Sequence, residues 1–293
     1  MSLAQLLLAL TVVFIWGTNF VVIKFGLAEL PPLLFATLRF ALAALPWMLF
    51  IRRPAVAWRY LAAFGILLGV GQFGLLFIAM RADISPGLAS LVIQVQVFFT
   101  VGLSIWLFHE PVHARNLAGL ALALGGLVLI GMHVDATTTV KGLVLVILAA
   151  LAWAGANLIV KAAARAHGTF NVLGFMTWSC VFAVPPLAAL ALLLEGREPV
   201  MTALARAGWG AWAAVLWQSL GNTLFGYGVW NWLLTRHSAA AFTPTALLVP
   251  VFGMAASSLV LHEPMYGWKL MAAGLIVAGL AVNMFGGMLA RGR

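Results

Sequence analysis

One spacing in this chain matches a catalytic pattern. His109-Glu110-Pro111-Val112-His113 fits H-E-x-x-H, which on a helix sets two histidines on one face to hold zinc, with the glutamate as general base. Here Pro111 would disturb the helix between the two histidines, because its ring removes an N–H donor and clashes with the preceding turn. The triplet recurs as His262-Glu263-Pro264 but continues Met265-Tyr266, without a second histidine. No third ligand is apparent. Both copies therefore read as tight turns whose proline opens the next helix, and neither a metal nor a cofactor is expected. The single cysteine, Cys180, excludes a disulfide framework and a cysteine metal cluster.

The remaining candidates are neutral. Trp16 and Asn19 are three apart and share a helical face; Trp153, Asn157 and Lys161 form a stripe at spacing four. Gln72 stands among glycines. Gln94 and Gln96 are two apart, which predicts that one faces a cavity and the other a neighbouring helix. Gln218, Asn222, Tyr227 and Asn231 lie together further on. Amide oxygens and aromatic faces can take an ammonium, the latter by cation–π attraction. Amide N–H groups, an indole N–H or a broken-helix N-terminus can take a carboxylate. The set suits a small zwitterion. The expected cavity residues are Trp16, Asn19, Gln72, Gln94, Trp153, Asn157, Asn222 and Tyr227. For each amide the plainer alternative is a hydrogen bond between helices.

The elements that must position these groups follow from composition. The 293 residues are 64% hydrophobic and 8% charged, with a mean hydropathy of +1.09. Almost all of them fall into ten apolar stretches near 3–26, 31–51, 60–80, 86–108, 114–132, 142–164, 170–194, 209–235, 239–261 and 267–289. Each approaches the roughly 20 apolar residues needed to cross a bilayer. The fold class is thus an all-α integral membrane protein with ten transmembrane helices. The connections are short, the longest being Glu195 to Gly208, so no soluble catalytic domain exists and an enzyme is not expected. The first stretch has no preceding Lys or Arg and no small-residue cleavage site, and reads as a retained helix.

The net charge of +9 is scattered rather than clustered, which excludes a nucleic-acid surface. With both termini cytoplasmic, that side carries Arg52, Arg53, Arg59, Arg115, Arg165, Arg236, Arg291 and Arg293, against Arg81, Lys141, Arg197, Arg206 and Lys269 opposite. Eight against five favours this orientation by the positive-inside rule. All seven acidic residues (Glu29, Asp83, Glu110, Asp135, Glu195, Glu198, Glu263) lie at span ends or between spans, and no histidine is mid-span. Proton-driven pumps generally embed such groups as relays. Their absence points to facilitated or unconventionally coupled movement. It also argues against an antiporter of lipophilic cations. Lys24 and Lys161 lie toward span ends and are expected to snorkel to the interface. Arg39, eight residues into its span, is expected to bond backbone carbonyls or serve a pathway.

The chain also repeats itself. Trp16 with Lys24 is matched by Trp153 with Lys161, Asn19 by Asn157, Pro46 by Pro185, and the two His-Glu-Pro triplets by each other. The offset grows from about 137 to 153 residues, so an insertion separates the copies, near the Glu195–Gly208 connection. The halves are 1–135 and 136–293. Five spans per copy is odd, so the second copy enters the membrane inverted, an arrangement typical of secondary transporters with a midplane site between halves. A duplicated, non-transporting scaffold is the alternative of another class.

Trp16-Gly17-Thr18-Asn19-Phe20 with Lys24, Pro31-Pro32 with Arg39-Phe40, Gly87-Leu88-Ala89-Ser90-Leu91 leading to Gln94-Val95-Gln96, and the two His-Glu-Pro turns resemble the EamA family of the drug/metabolite transporter superfamily. The resemblance covers the whole chain. Gly87 to Thr100 and Leu247-Leu248-Val249-Pro250-Val251 look like bacterial exporters of cysteine and O-acetylserine, with aromatic amino-acid exporters also related. It implies ten helices around a central cavity and export of amino acids and related metabolites across the bacterial inner membrane, with the lipid bilayer and a small-molecule substrate as partners and a monomer as the working assumption. Nucleosides, purines or neutral drugs are the alternative cargo. Ala154-Gly155-Ala156-Asn157 does not copy Gly17-Thr18-Asn19, so the halves need not supply equivalent ligands.

Overall fold

The computed structural model describes residues 3–109, 111–135, 137–236 and 243–289. Glu110, Arg291 and Arg293 lie outside the described residues. All regular structure among those described is helical. The apolar helices are α1 (Leu3–Glu29), α2 (Pro32–Leu49), α3 (Trp58–Ala82), α4 (Pro86–Phe108), α5 (Ala114–Gly131), α6 (Val140–His167) and α7 (Val172–Glu195). A short polar helix, α8 (Arg197–Arg206), fills the stretch read from sequence as an open connection. Helices α9 (209–236), α10 (Thr245–Leu261) and α11 (Gly267–Leu289) complete the chain. Eight of these, α1 to α7 and α11, are long and apolar enough to cross a membrane, and α10 is apolar but shorter.

Local chemistry starts and stops these helices. Ser85, Thr139 and Asn171 accept hydrogen bonds from Leu88, Gly142 and Gly174 N–H and so cap α4, α6 and α7. His109 and His262 both take a left-handed conformation (φ 53°) as the C-caps of α4 and α10. His109 and His262 thus end their helices in the same way, but neither proline opens the next helix as the sequence suggested: α5 starts at Ala114 and α11 at Gly267, each three residues beyond its proline.

The packing exchanges when the halves are exchanged. Helix α2 packs on α7 and α5 on α11, each against its own counterpart. Helix α1 packs on α10 as α6 does on α4, and α1 on α9 as α6 does on α3. Two close approaches between helices require glycine. A Cβ on Gly65 of α3 would stand 2.1 Å from the Ser179 carbonyl oxygen of α7, and one on Gly279 of α11 would stand 2.5 Å from that of Gly119 of α5. Where lipid removes the hydrophobic drive between helices, such close approach supplies the packing. Outward faces carry exposed Leu7, Phe14, Leu117, Leu124, Val128, Leu148 and Leu192, an apolar surface suited to hydrocarbon rather than water.

The helical spacing breaks at equivalent places. Wider π turns occupy Leu67–Gly74 in α3 and Trp217–Gly226 in α9, and tighter 3-10 turns occupy Ile93–Val95 in α4 and Thr243–Leu247 at the start of α10. Gln72 and Asn222 fall on the two π segments. Such irregular backbone inside a membrane is tolerated where it faces protein or a polar cavity, and π turns often mark functional positions.

Candidate functional site

A cavity of about 390 Å³ lies between the halves, within the range usual for small-molecule sites. Trp16, Asn19, Gln72, Gln94, Trp153, Asn157, Asn222 and Tyr227 all line it. The 3-10 turn at Ile93–Val95 changes one expectation: Gln94 and Gln96 both face the cavity, because the tightened turn rotates the helix between them. Gln96 also accepts a hydrogen bond from Asn157 Nδ2 at 3.1 Å. Trp230, absent from the sequence reading, joins the lining; it follows Tyr227 at helical spacing, which was the available signal. None of the described lining residues is charged.

One wall is aromatic. Trp16 stands 5.2 Å, centroid to centroid, from both Tyr227 and Trp230. Its indole N–H points to the Asn222 carbonyl at 3.4 Å, in the π segment of α9. Behind the wall lies a buried polar chain. Arg39 of α2 is fully buried, donates from Nη1 to Gln218 Oε1 at 2.7 Å and from Nη2 to Thr223 Oγ1 at 3.1 Å, and covers the Phe73 ring at 3.5 Å. Gln218 Nε2 donates to Asn19 Oδ1 at 2.7 Å. Arg39 therefore bonds side chains of α9 rather than backbone carbonyls, since the π segment turns Gln218 and Thr223 toward it. Lys24 and Lys161 each have specific partners toward the span ends. Lys24 Nζ donates to the Met80 and Arg81 carbonyls, at 3.1 Å each, where the last carbonyls of α3 attract a cation. Lys161 donates to Ser104 Oγ at 3.2 Å.

The two ends of the bundle differ. At the end holding the C-terminus of α1, carboxylates cross between halves to bind helix N-termini, where free N–H groups and the helix dipole favour an anion. Glu195 accepts from Leu33 N at 2.6 Å and Leu34 N at 3.1 Å, at the start of α2. Glu29 accepts from Gly208 N at 2.6 Å, before α9. Glu263 accepts from Ser85 Oγ and, at 3.1 Å, from Gly87 N at the start of α4, and pairs with Lys269 at 2.9 Å in near-complete burial. Asp83 binds Lys141 at 2.8 Å and Thr139 at 3.0 Å; the Lys141 bond, aided by Thr139, holds its carboxyl below the usual range. The cavity runs the other way. Its lining includes Val172 and Met176 in the first turns of α7, Val160 late in α6, and Leu280 and Met284 late in α11.

The EamA-like transporter family model matches residues 3–132 and 140–285, two copies that together take in most of the chain. Probable amino-acid metabolite efflux pumps of Salmonella typhimurium (strain LT2) and Escherichia coli (strain K12) are 39% and 38% identical to it, over 95% and 98% of this chain and 94% and 96% of theirs. An uncharacterised transporter of Bacillus subtilis (strain 168) is 28% identical over 94% of this chain and 95% of its own. A solved crystal structure, 20% identical, superposes with a TM-score of 0.62 over 99% of both chains, and so shares the fold. Two matched copies, full-length relatives and a shared fold agree: this chain belongs to the EamA-like transporter family.

Proposed function

We propose that this protein exports amino acids and related metabolites across the inner membrane of a bacterium, by alternating access of two inverted five-span halves. The observation that carries the reading is the amide- and aromatic-lined cavity between the halves, with no charged group among its described lining residues, lying away from the end where carboxylates tie the halves together. The efflux-pump names of the two full-length relatives set the direction and the substrate class.

In this reading α9 and α10 are the eighth and ninth of ten spans, and both termini are cytoplasmic. The tied end is then periplasmic and the cavity faces inward, ready to load. Trp16, Asn19, Gln72, Gln94, Trp153, Asn157, Asn222 and Tyr227 contact the substrate. A cavity without a charged group favours cargo with no net charge, because an unpaired ion in a low-dielectric site carries a large desolvation cost. Zwitterionic amino acids meet that condition, with the aromatic wall taking an apolar side chain. Rocking the halves breaks the carboxylate ties at one end and closes the other around the vacated cavity. No mid-span acid is available to carry a proton, so the movement follows the substrate gradient.

The test is amino-acid uptake and counterflow in proteoliposomes containing only this protein, with and without a pH gradient. Saturable flux indifferent to the gradient is the expected result. Flux that requires the gradient keeps the substrate class and refutes uncoupled movement. Flux of nucleosides and not of amino acids refutes the substrate class.

A further inference from the structure

The orientation of a side-chain amide is ordinarily an assignment from its surroundings; here one residue fixes a whole series of them. Arg39 has only donors. Its partner atom on Gln218 must be the oxygen, as found at 2.7 Å. Gln218 therefore turns its nitrogen to Asn19, where Nε2 meets Oδ1 at 2.7 Å. The Asn19 oxygen is consumed, and Nδ2 remains, with only a long 3.4 Å approach to Gln218 Oε1. Asn19 lines the cavity, whereas Arg39 and Gln218 stand behind it, both 0% exposed. Among the described residues no acid neutralises the charge at the head of the chain: the hydrogen-bond partners of Arg39 are the neutral Gln218 and Thr223. A cation in low dielectric polarises the bonds in series and strengthens the terminal donor.

We infer that Asn19 Nδ2–H is the point in the cavity that binds the substrate's carboxylate, and that Arg39, acting through Gln218, is the positioning residue that makes Asn19 a donor there. The inference rests on the amino-acid reading above and deepens it. A substrate carboxylate at Asn19 supplies, two amides away, the anion that Arg39 lacks. Cargo without a carboxylate leaves that buried charge uncompensated, so the chain selects amino acids over the corresponding amines.

Gln218→Glu tests this by reversing the polarity without removing the bonds. The new carboxylate pairs with Arg39 and presents only acceptors to Asn19, which must then turn its nitrogen inward and its oxygen to the cavity. Counterflow of a neutral amino acid and of the amine formed by its decarboxylation is measured on the wild-type protein, Q218E and R39K. The expected result for Q218E is a KM for the amino acid raised about tenfold or more, as for loss of a hydrogen bond to a charged group. The amine does not weaken in parallel, so the ratio of the two shifts toward the amine. R39K keeps a donor-only cation and keeps the wild-type ratio. A parallel loss of both substrates in Q218E, or an unchanged ratio, overturns the inference while leaving amino-acid export standing. A wild-type protein that moves no amino acid overturns the export reading itself, and this inference with it.

Discussion

Neutralising Glu263 should loosen the tied end of the bundle, and the geometry sets how far. Its carboxylate holds Lys269 at 2.9 Å, accepts from Gly87 N at 3.1 Å and binds Ser85 Oγ, with only 8% and 5% of the Glu263 and Lys269 side chains exposed. Removing one partner of a buried ion pair strands the other and costs about 3–5 kcal/mol. Glu263→Gln keeps the shape and one acceptor oxygen for Gly87 N, while its Nε2 can donate to the rotatable Ser85 hydroxyl, so the low end applies, about 3 kcal/mol. When the same end is open, water reaches Lys269 and the substitution costs little. The difference falls on the closed state and shifts the balance toward the open one by a factor on the order of 100. Nitroxides at Arg81 and Thr202, which border one surface groove at this end, report the shift by pulsed electron resonance in a Cys180→Ala background. The expected result is a second, longer distance population in E263Q. Adding Lys269→Met removes the stranded cation and should reverse part of it. Distances unchanged in E263Q, with wild-type transport, would refute the idea that Glu263 helps hold the end shut.

Other substitutions carry their own expectations. Glu195→Gln weakens two bonds at the start of α2 and should lengthen the same distance, which spin-label measurements on the single and double variants can compare. Gly65→Val places a side chain against the Ser179 carbonyl; overpacking of this kind costs about 1–3 kcal/mol or more and should lower the melting temperature and the monodisperse yield in detergent. Asn157→Ala leaves Gln96 Oε1 with Thr100 Oγ1 as its remaining donor and should raise the KM for the amino acid in counterflow with melting nearly unchanged; an unaltered KM removes Asn157 from the site. The Asp83 carboxyl is held low by Lys141 and Thr139, so its stabilisation is complete above the ordinary carboxylate pKa of about 4 and fades as pH falls through the lowered value. The melting difference between wild type and Asp83→Asn should accordingly persist at pH 5 and shrink only in stronger acid.

The sequence by itself determined the membrane class, the duplication and five of the six amides that line the cavity among the described residues. Each follows from one-dimensional information: apolar runs of bilayer length, landmarks repeated at a near-constant offset, and polar groups too costly to face lipid. Trp16 with Asn19 and Trp153 with Asn157 were legible because helical phase alone puts each pair on one face. The tertiary structure decided what depends on partners far apart in the chain or on departures from regular helix. Gln94 and Gln96 share the cavity because a 3-10 turn intervenes. Arg39 meets Gln218 and Thr223, about 180 residues away, and no local pattern announces that pairing. The acids looked alike at span ends, yet Glu29, Glu195 and Glu263 bind helix N-termini across the halves. Which end is closed is a property of those long-range bonds. It can change while the sequence stays the same, so only a three-dimensional arrangement can record it.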